Sequence, residues 1–421
     1  MFRSRTIELC PRPSANGMNG RQLRDLCSLG WLFVIAALSF IVLRSPVKST
    51  GDFVYFYSIG RLLHEQPSHL YDYEAQQAEF DQSRPDLHGV LGPSPYPPFV
   101  ALCFEPLASL PFLLAWRIWT GIAFGLYLAG LWLLLRAFLP EHRTAWPAIF
   151  CGALLFWPFL ARTLASGQIS AIGFFTMSLA LAEQQKRRWF SSGLTLSLCL
   201  YKPTLLIWIL ALLIVASAWK TLAGFFAGAA ILATVTTGVF GGVGIWRQYA
   251  DMVLHLSSFQ SVLIQSDYLD VLAVLRLGSG GALSGFTTIF CLGVGGLVIL
   301  WAWHCSLTSA VEHRIALAWA ITLPLSLLVN VYTPIYDSVL LIVSLIGTAR
   351  LFQDLAPKWL IAGGLLLLVV SCCSTWIAGN CRIQPLSLLI AAISALQIWR
   401  CRHQTVVVNA DSAVLGPKAA H

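Results

Sequence analysis

The sequence predicts an all-α, polytopic integral membrane protein with about twelve transmembrane or partly spanning helices. Three observations predict it. Hydrophobic residues make up 57% of the 421, charged residues only 11%, and the mean hydropathy is +0.72, more apolar sequence than a water-soluble core of this length needs. The apolar residues gather in runs approaching the roughly 20 residues that a hydrocarbon core about 30 Å thick requires. Polar turns separate the runs.

In chain order the runs lie at 29–44, 112–138, 145–161, 168–183, 189–201, 203–218, 220–241, 283–304, 315–330, 337–352, 357–377 and 385–400. The first follows the polar, basic stretch 1–28 and has no A-x-A type cleavage site behind it, so it reads as a retained signal-anchor helix. Several later runs are too short to span alone. Lys202-Pro203 divides 189–201 from 203–218, and Arg162 to Gln168 forms the turn before 168–183. The membrane domain therefore extends over 29–402, and residues 403–421 read as a disordered tail.

An even number of crossings puts both termini on one side. Most of the 27 lysines and arginines fall on the side of Met1, which the retention of positive loops assigns to the cytoplasm. The two long polar stretches, 45–111 and 242–282, then face outward. The net charge of +8 is spread over short loops, so it speaks for anionic lipid headgroups and not for nucleic acid. Cys103, Cys151, Cys199, Cys291, Cys372 and Cys373 lie in apolar runs without CxxC or Cys/His spacing, as small hydrophobes do. No phosphate-binding Gly-rich loop, GxSxG or HExxH appears.

Chemistry is expected in the outward loops. Asp52 opens Gly51-Asp52-Phe53-Val54-Tyr55-Phe56-Tyr57, and 53–63 has the apolar spacing of a helix lying in the membrane interface. Further on stand Tyr71, Tyr96-Pro97-Pro98 leading to Pro111, Ser166-Gly167-Gln168, Tyr201-Lys202-Pro203 and Tyr332-Thr333-Pro334-Ile335-Tyr336-Asp337.

This ordered set resembles the polyprenol-phosphate-mannose-dependent mannosyltransferases of glycosyltransferase family 87, within the membrane-embedded GT-C class. The resemblance implies a GT-C-like fold and a membrane glycosyltransferase at the extracytoplasmic face of a bacterial-type inner (plasma) membrane. It further implies a polyprenyl-phosphate sugar donor carrying mannose, a glycolipid or glycan acceptor, and Asp52 as general base. Tyr336-Asp337 stands where some family mannosyltransferases carry a His-containing stretch, which leaves sugar and acceptor open. No metal or other cofactor is expected, because a lipid phosphate donor needs no nucleotide-diphosphate clamp and no external DxD is present.

A donor of this kind already carries a good leaving group, so transfer needs a base on one side and hydrogen-bonding or cationic groups beside the phosphate. Asp52 is the candidate base; the competing reading is a solvated loop aspartate or a helix N-cap. Lys202, a charge inside an apolar stretch, and Arg162 are candidate donor-phosphate ligands. Snorkelling to headgroups is the alternative for Lys202. Tyr55, Gln168, Tyr332, Tyr336 and Asp337 are candidate sugar or acceptor contacts, against tyrosines merely placed at an interface. The segment 246–276, with Tyr249, Asp251, His255, Gln260, Asp267 and Asp270, is expected to cover an acceptor groove, with His255 read as a packed or interfacial side chain. Two other function classes stay open: a transporter or flippase of an amphiphilic substrate, against which stands the lack of an internal repeat, and a ligase or polymerase of lipid-linked glycans.

Overall fold

The computed structural model describes residues 20–43, 52–83, 94–255, 265–309 and 313–414. The basic residues before position 20, residues 44–51 and 84–93, Gln260 and the last residues 415–421 lie outside the described residues. The described chain is helical. Its only β-pairing is an isolated antiparallel bridge between Tyr268 and Pro334.

Helix α1 (Gly20–Leu43) leads into three helices within the first polar stretch: α2 (Phe53–Glu65), α3 (Tyr73–Ser83) and α4 (Pro98–Ala108). The body follows as α5 (Phe112–Phe138), α6 (Trp146–Leu155), α7 (Ser170–Gln185), α8 (Trp189–Leu196), α9 (Ile207–Val215) and α10 (Trp219–Val239). The second polar stretch holds α11 (Gly244–His255) and α12 (Val271–Ser279). The chain closes with α13 (Gly285–Leu307), α14 (Arg314–Leu328), α15 (Leu340–Gly347), α16 (Pro357–Cys381) and α17 (Pro385–Val414). Helix α17 continues beyond His403, where the sequence reading begins a tail.

Local sequence explains many boundaries. Proline opens α4 and α16 at positions whose N–H has no intrahelical partner. Asp270 caps α12 by accepting from the Ala273 N–H at 2.9 Å, and Ser284 caps α13 by accepting from Thr287 at 3.0 Å.

Among the described residues four helices, α5, α10, α13 and α16, are long and apolar enough to cross a membrane; the pair Arg143–Leu155 and Pro158–Ala165, bent by 60°, makes a fifth if taken as one span. The expected twelve are therefore not reproduced as twelve spans. Several of the remaining runs are shorter helices whose apolar side chains meet protein. In α14 every residue from Ala316 to Leu327 is buried, against α13, α15 and α17. Sequence apolarity cannot distinguish a lipid neighbour from a helical one. By contrast, Phe286, Ile289 and Leu297 on α13 and Trp359, Val369 and Trp376 on α16 are exposed, an apolar surface suited to lipid.

Helix α2 is where the interfacial helix was expected, but protein covers its apolar residues. Phe56 stacks on Phe104 with centroids 4.9 Å apart, and the Tyr57 hydroxyl donates to the Leu110 carbonyl at 2.8 Å. The core lies between α5, α7, α14 and α15, around Tyr127, Phe159, Phe174 and Trp319.

Helices α8 and α10 cross with their backbones nearly touching. A Cβ at Gly193 would lie 1.8 Å from the Thr221 carbonyl oxygen, and one at Gly224 2.0 Å from that of Phe190. Small residues allow such close approach between helices that gain nothing from the hydrophobic effect in lipid. Gly224→Ala is expected to destabilise the protein by about 1–3 kcal/mol, the usual cost of overpacking. Gly238→Ala, on the same helix with nothing within 4 Å, is the control and lowers nothing. Thermal unfolding in detergent checks both.

Candidate functional site

The chain between α6 and α7 forms the site's first wall. Residues 158–165 adopt a π-helix, a widened turn often found at functional positions, and it carries Arg162. The turn ends at Gly167, whose φ of +72° is left-handed and whose missing side chain matters: a Cβ there would lie 2.6 Å from that of Phe53. The Phe53 N–H donates to the Ser166 carbonyl at 2.9 Å, and Trp119 Nε1 donates to the Gly167 carbonyl at 2.9 Å. The start of α2 is thereby docked on the turn, with Asp52 beside Gln168 and Arg162.

Asp52 sits at the N-cap position of α2 but makes no side-chain cap hydrogen bond, and its backbone is in the right-handed helical region. The capping reading therefore fails. The side chain of Gln168 hydrogen-bonds the carboxyl; its Oε1 accepts from the Ile169 N–H at 3.2 Å, so the amide group donates to Asp52. Burial is the main cause that raises the Asp52 pKa to about 6, the Arg162 guanidinium and the Gln168 hydrogen bond pull it down, and Asp267 pushes it up. Arg162 itself pairs with Asp267, Nη2 to Oδ1 at 2.8 Å.

The second wall comes from residues 332–337. Lys202, at the break between two 3₁₀ turns, forms a buried ion pair with Asp337, and its ammonium lies 5.3 Å from the ring centroid of Tyr332 and 5.0 Å from that of Tyr336. The rings add cation–π attraction. Tyr336 hydrogen-bonds Tyr96 and Tyr332 through its hydroxyl, and Tyr268 donates to the Tyr332 hydroxyl at 3.3 Å. Burial raises the Tyr96 pKa well above the ordinary tyrosine value, with Tyr332, Asp52 and Asp337 near enough to push the same way. Asp52 and the Lys202–Asp337 pair thus neighbour one cluster of tyrosines, Tyr96, Tyr332 and Tyr336.

Asp270 fastens the second polar stretch to this wall. Its Oδ2 accepts from the Thr333 N–H at 3.1 Å, and the Leu269 N–H donates to the Thr333 carbonyl at 2.8 Å. Of the residues singled out from sequence, Asp52, Arg162, Gln168, Lys202, Tyr332, Tyr336 and Asp337 come together. Tyr55 does not. It lines a crevice with Ser58, Ile59, Tyr73, Gln76, Gln77 and Phe80 on the α3 side of α2, because two helical residue steps, about 200°, turn it away from the Phe53 face. Tyr96, Asp267 and Tyr268 join the cluster without having been assigned to it.

The model of glycosyltransferase family 87 matches residues 95–331, just over half of the chain. The chain belongs to glycosyltransferase family 87. With the apolar helices, membership makes it a membrane glycosyltransferase, which has a sugar donor and an acceptor as substrates. No curated protein and no solved structure matches the chain. Tyr96, Arg162, Gln168, Lys202 and Asp267 of this glycosyltransferase lie inside the matched stretch; Asp52, Tyr332, Tyr336 and Asp337 lie outside it and join the site through the contacts above.

Beyond Tyr71, whose hydroxyl donates to the Tyr96 carbonyl at 2.7 Å, opens a cavity of ≈ 450 Å³ between the loop before α3 and α11. Tyr71, Asp72, Asp251 and His255 are among its lining residues. His255 is exposed, with Nδ1 2.7 Å from the Asp251 carbonyl oxygen, so of the two expected places, packed or interfacial, it is not the packed one.

Lys202→Met leaves the Asp337 carboxylate buried without its cation, which costs about 3–5 kcal/mol for a pair of this kind. The double variant Lys202→Met/Asp337→Leu is expected to regain most of that loss. Melting temperatures in detergent decide it, and an unchanged value for Lys202→Met contradicts the structural weight given to the pair.

Proposed function

We propose that this glycosyltransferase moves a hexosyl group, with mannose as the first candidate, from a polyprenyl-phosphate donor to a hydroxyl of a glycolipid or glycan acceptor. Transfer takes place at the extracytoplasmic face of the inner (plasma) membrane, with both termini cytoplasmic. The observation that carries the reading is Asp52: a half-buried carboxylate that caps no helix, hydrogen-bonded by Gln168 and shifted to about 6, which suits a general base near neutral pH.

The acceptor hydroxyl oxygen attacks C1 of the sugar while its proton passes to Asp52. The bond from C1 to the phosphate oxygen breaks, the electron pair leaves with polyprenyl phosphate, and C1 inverts. Arg162 and Lys202 are the cations for that phosphate; Lys202 must then exchange part of its contact with Asp337 for the donor. The Tyr96, Tyr332 and Tyr336 rings and hydroxyls offer stacking and hydrogen bonds to the sugar. The acceptor approaches from the side of the cavity beyond Tyr71, within the region where the second polar stretch was expected to cover a groove. No step calls on a metal or cofactor.

Family membership favours transfer over the transporter or flippase reading, and a ligase or polymerase reading differs in the lipid it releases, polyprenyl diphosphate. The test uses protein in lipid with labelled polyprenyl-phosphate-mannose and a membrane-lipid extract. Wild type is expected to release polyprenyl phosphate and form a mannosylated product, and Asp52→Asn to lose about 10²–10⁴-fold of that rate while melting normally. An Asp52→Asn variant as active as wild type removes the base assignment; glucose- and arabinose-linked donors test the sugar.

A carboxylic acid with its pKa raised is protonated below that value and cannot accept a proton there. The rate kcat/KM of wild type is therefore expected to fall as pH drops through about 6, tenfold per unit, and to be level above it. A profile flat between pH 5 and 7 contradicts Asp52 as the base.

A further inference from the structure

The geometry points to Asp267 as a positioning residue for the catalytic carboxylate: by holding the Arg162 guanidinium in its own salt bridge, it keeps Arg162 beside Asp52 without letting the two pair fully. Asp267 ends a short 3₁₀ turn in the second polar stretch, far in sequence from both partners. Its Oδ1 takes the Arg162 Nη2 at 2.8 Å, and that guanidinium is also near enough to act on Asp52. One cation thus stands between two carboxylates.

The consequence is chemical. A carboxylate fully paired with arginine is a poor base, because the opposite charge favours its ionised form by about 1–3 pKa units. A carboxylate with no cation nearby in a half-buried place would hold its proton too firmly to be ionised at neutral pH. Asp267 sets the intermediate case by taking a share of the guanidinium and adding its own charge. The other described groups facing Asp52 are the Gln168 amide and, in the neighbouring tyrosine cluster, Tyr96, Tyr332, Tyr336 and Asp337 with Lys202. Among the described residues none of these forms an ion pair with Arg162; Asp267 does.

The loop that carries Asp267 is tied to the opposite wall at Leu269, Asp270 and Thr333, and Gln384 Nε2 donates to the Ser266 carbonyl at 2.7 Å. The carboxylate is therefore anchored from both sides of its own position. Such anchoring holds a salt bridge in one geometry, as a positioning role requires.

This inference rests on Asp52 being the base, and the test separates the two. Dicyclohexylcarbodiimide reacts with protonated carboxyl groups, so its pH-dependent labelling of the Asp52 peptide, followed by mass spectrometry on the full protein in detergent, reads the titration of Asp52 without any substrate. Asp267→Asn is expected to move the labelling midpoint down by about one unit or more, since Arg162 then turns to Asp52. Asp267→Glu is expected to restore the wild-type midpoint. Arg162→Gln, which leaves Asp267 in place, is expected to move it upward. The acid limb of the pH–rate profile shifts with the midpoint in each variant. A midpoint that stays fixed or rises in Asp267→Asn overturns the positioning role, and so does a fixed or falling one in Arg162→Gln should Asp267→Asn not fold. Midpoints that move as stated while Asp52→Asn keeps full transfer activity uphold the linkage and sink the catalytic reading instead.

Discussion

The hydrogen bond from the Phe53 N–H to the Ser166 carbonyl, packed against the bare face of Gly167, joins two parts of the chain that nothing else in the sequence relates. It works only because residue 167 has no side chain and a left-handed backbone, conditions that glycine meets without strain. From that contact follow the position of Asp52, its neighbours Gln168 and Arg162, and the path of α2 along α4. Trp119 on α5 bonds the same turn, so a helix long and apolar enough to cross a membrane, a π-helix and the first polar stretch share one joint.

Charge placement is the second constraint. Asp52, Asp267, Asp270, Asp337, Arg162 and Lys202 converge in a fold whose charged residues are only 11% of the chain. Buried charge is costly unless it is paired and hydrogen-bonded. Asp337 has Lys202, Asp267 has Arg162, and Asp270 accepts two backbone N–H groups. Among the described residues Asp52 has the amide of Gln168 and a cation already engaged by Asp267. It is the member of the set to which the proposed mechanism gives the proton, and its environment follows from how the others are satisfied.

Much of this was legible in the sequence, in unequal measure. The fold class followed from composition, and the breaks at Lys202-Pro203 and Ser166-Gly167-Gln168 were visible as polar interruptions of apolar runs. Helix count was less legible, because α14 is as apolar as a membrane span while lying wholly among other helices. Seven of the eight residues singled out for the site converge. Tyr55 does not, since motif proximity to Asp52 says nothing about which way a helix turns. The pairing of Arg162 with Asp267 crosses more than a hundred residues and could not be read from either neighbourhood. What signal existed was the density of carboxylates in the second polar stretch, and it pointed to a groove without naming the partner.

The most direct measurement is a structure of the protein in a lipid nanodisc with a non-hydrolysable polyprenyl-phosphate-mannose analogue. The proposed transfer requires the phosphate within hydrogen-bonding distance of Lys202 or Arg162, the sugar among Tyr96, Tyr332 and Tyr336, and the Asp52 carboxylate facing C1 from the side opposite the phosphate. A donor bound with its sugar away from Asp52, or with its phosphate remote from both cations, would contradict it.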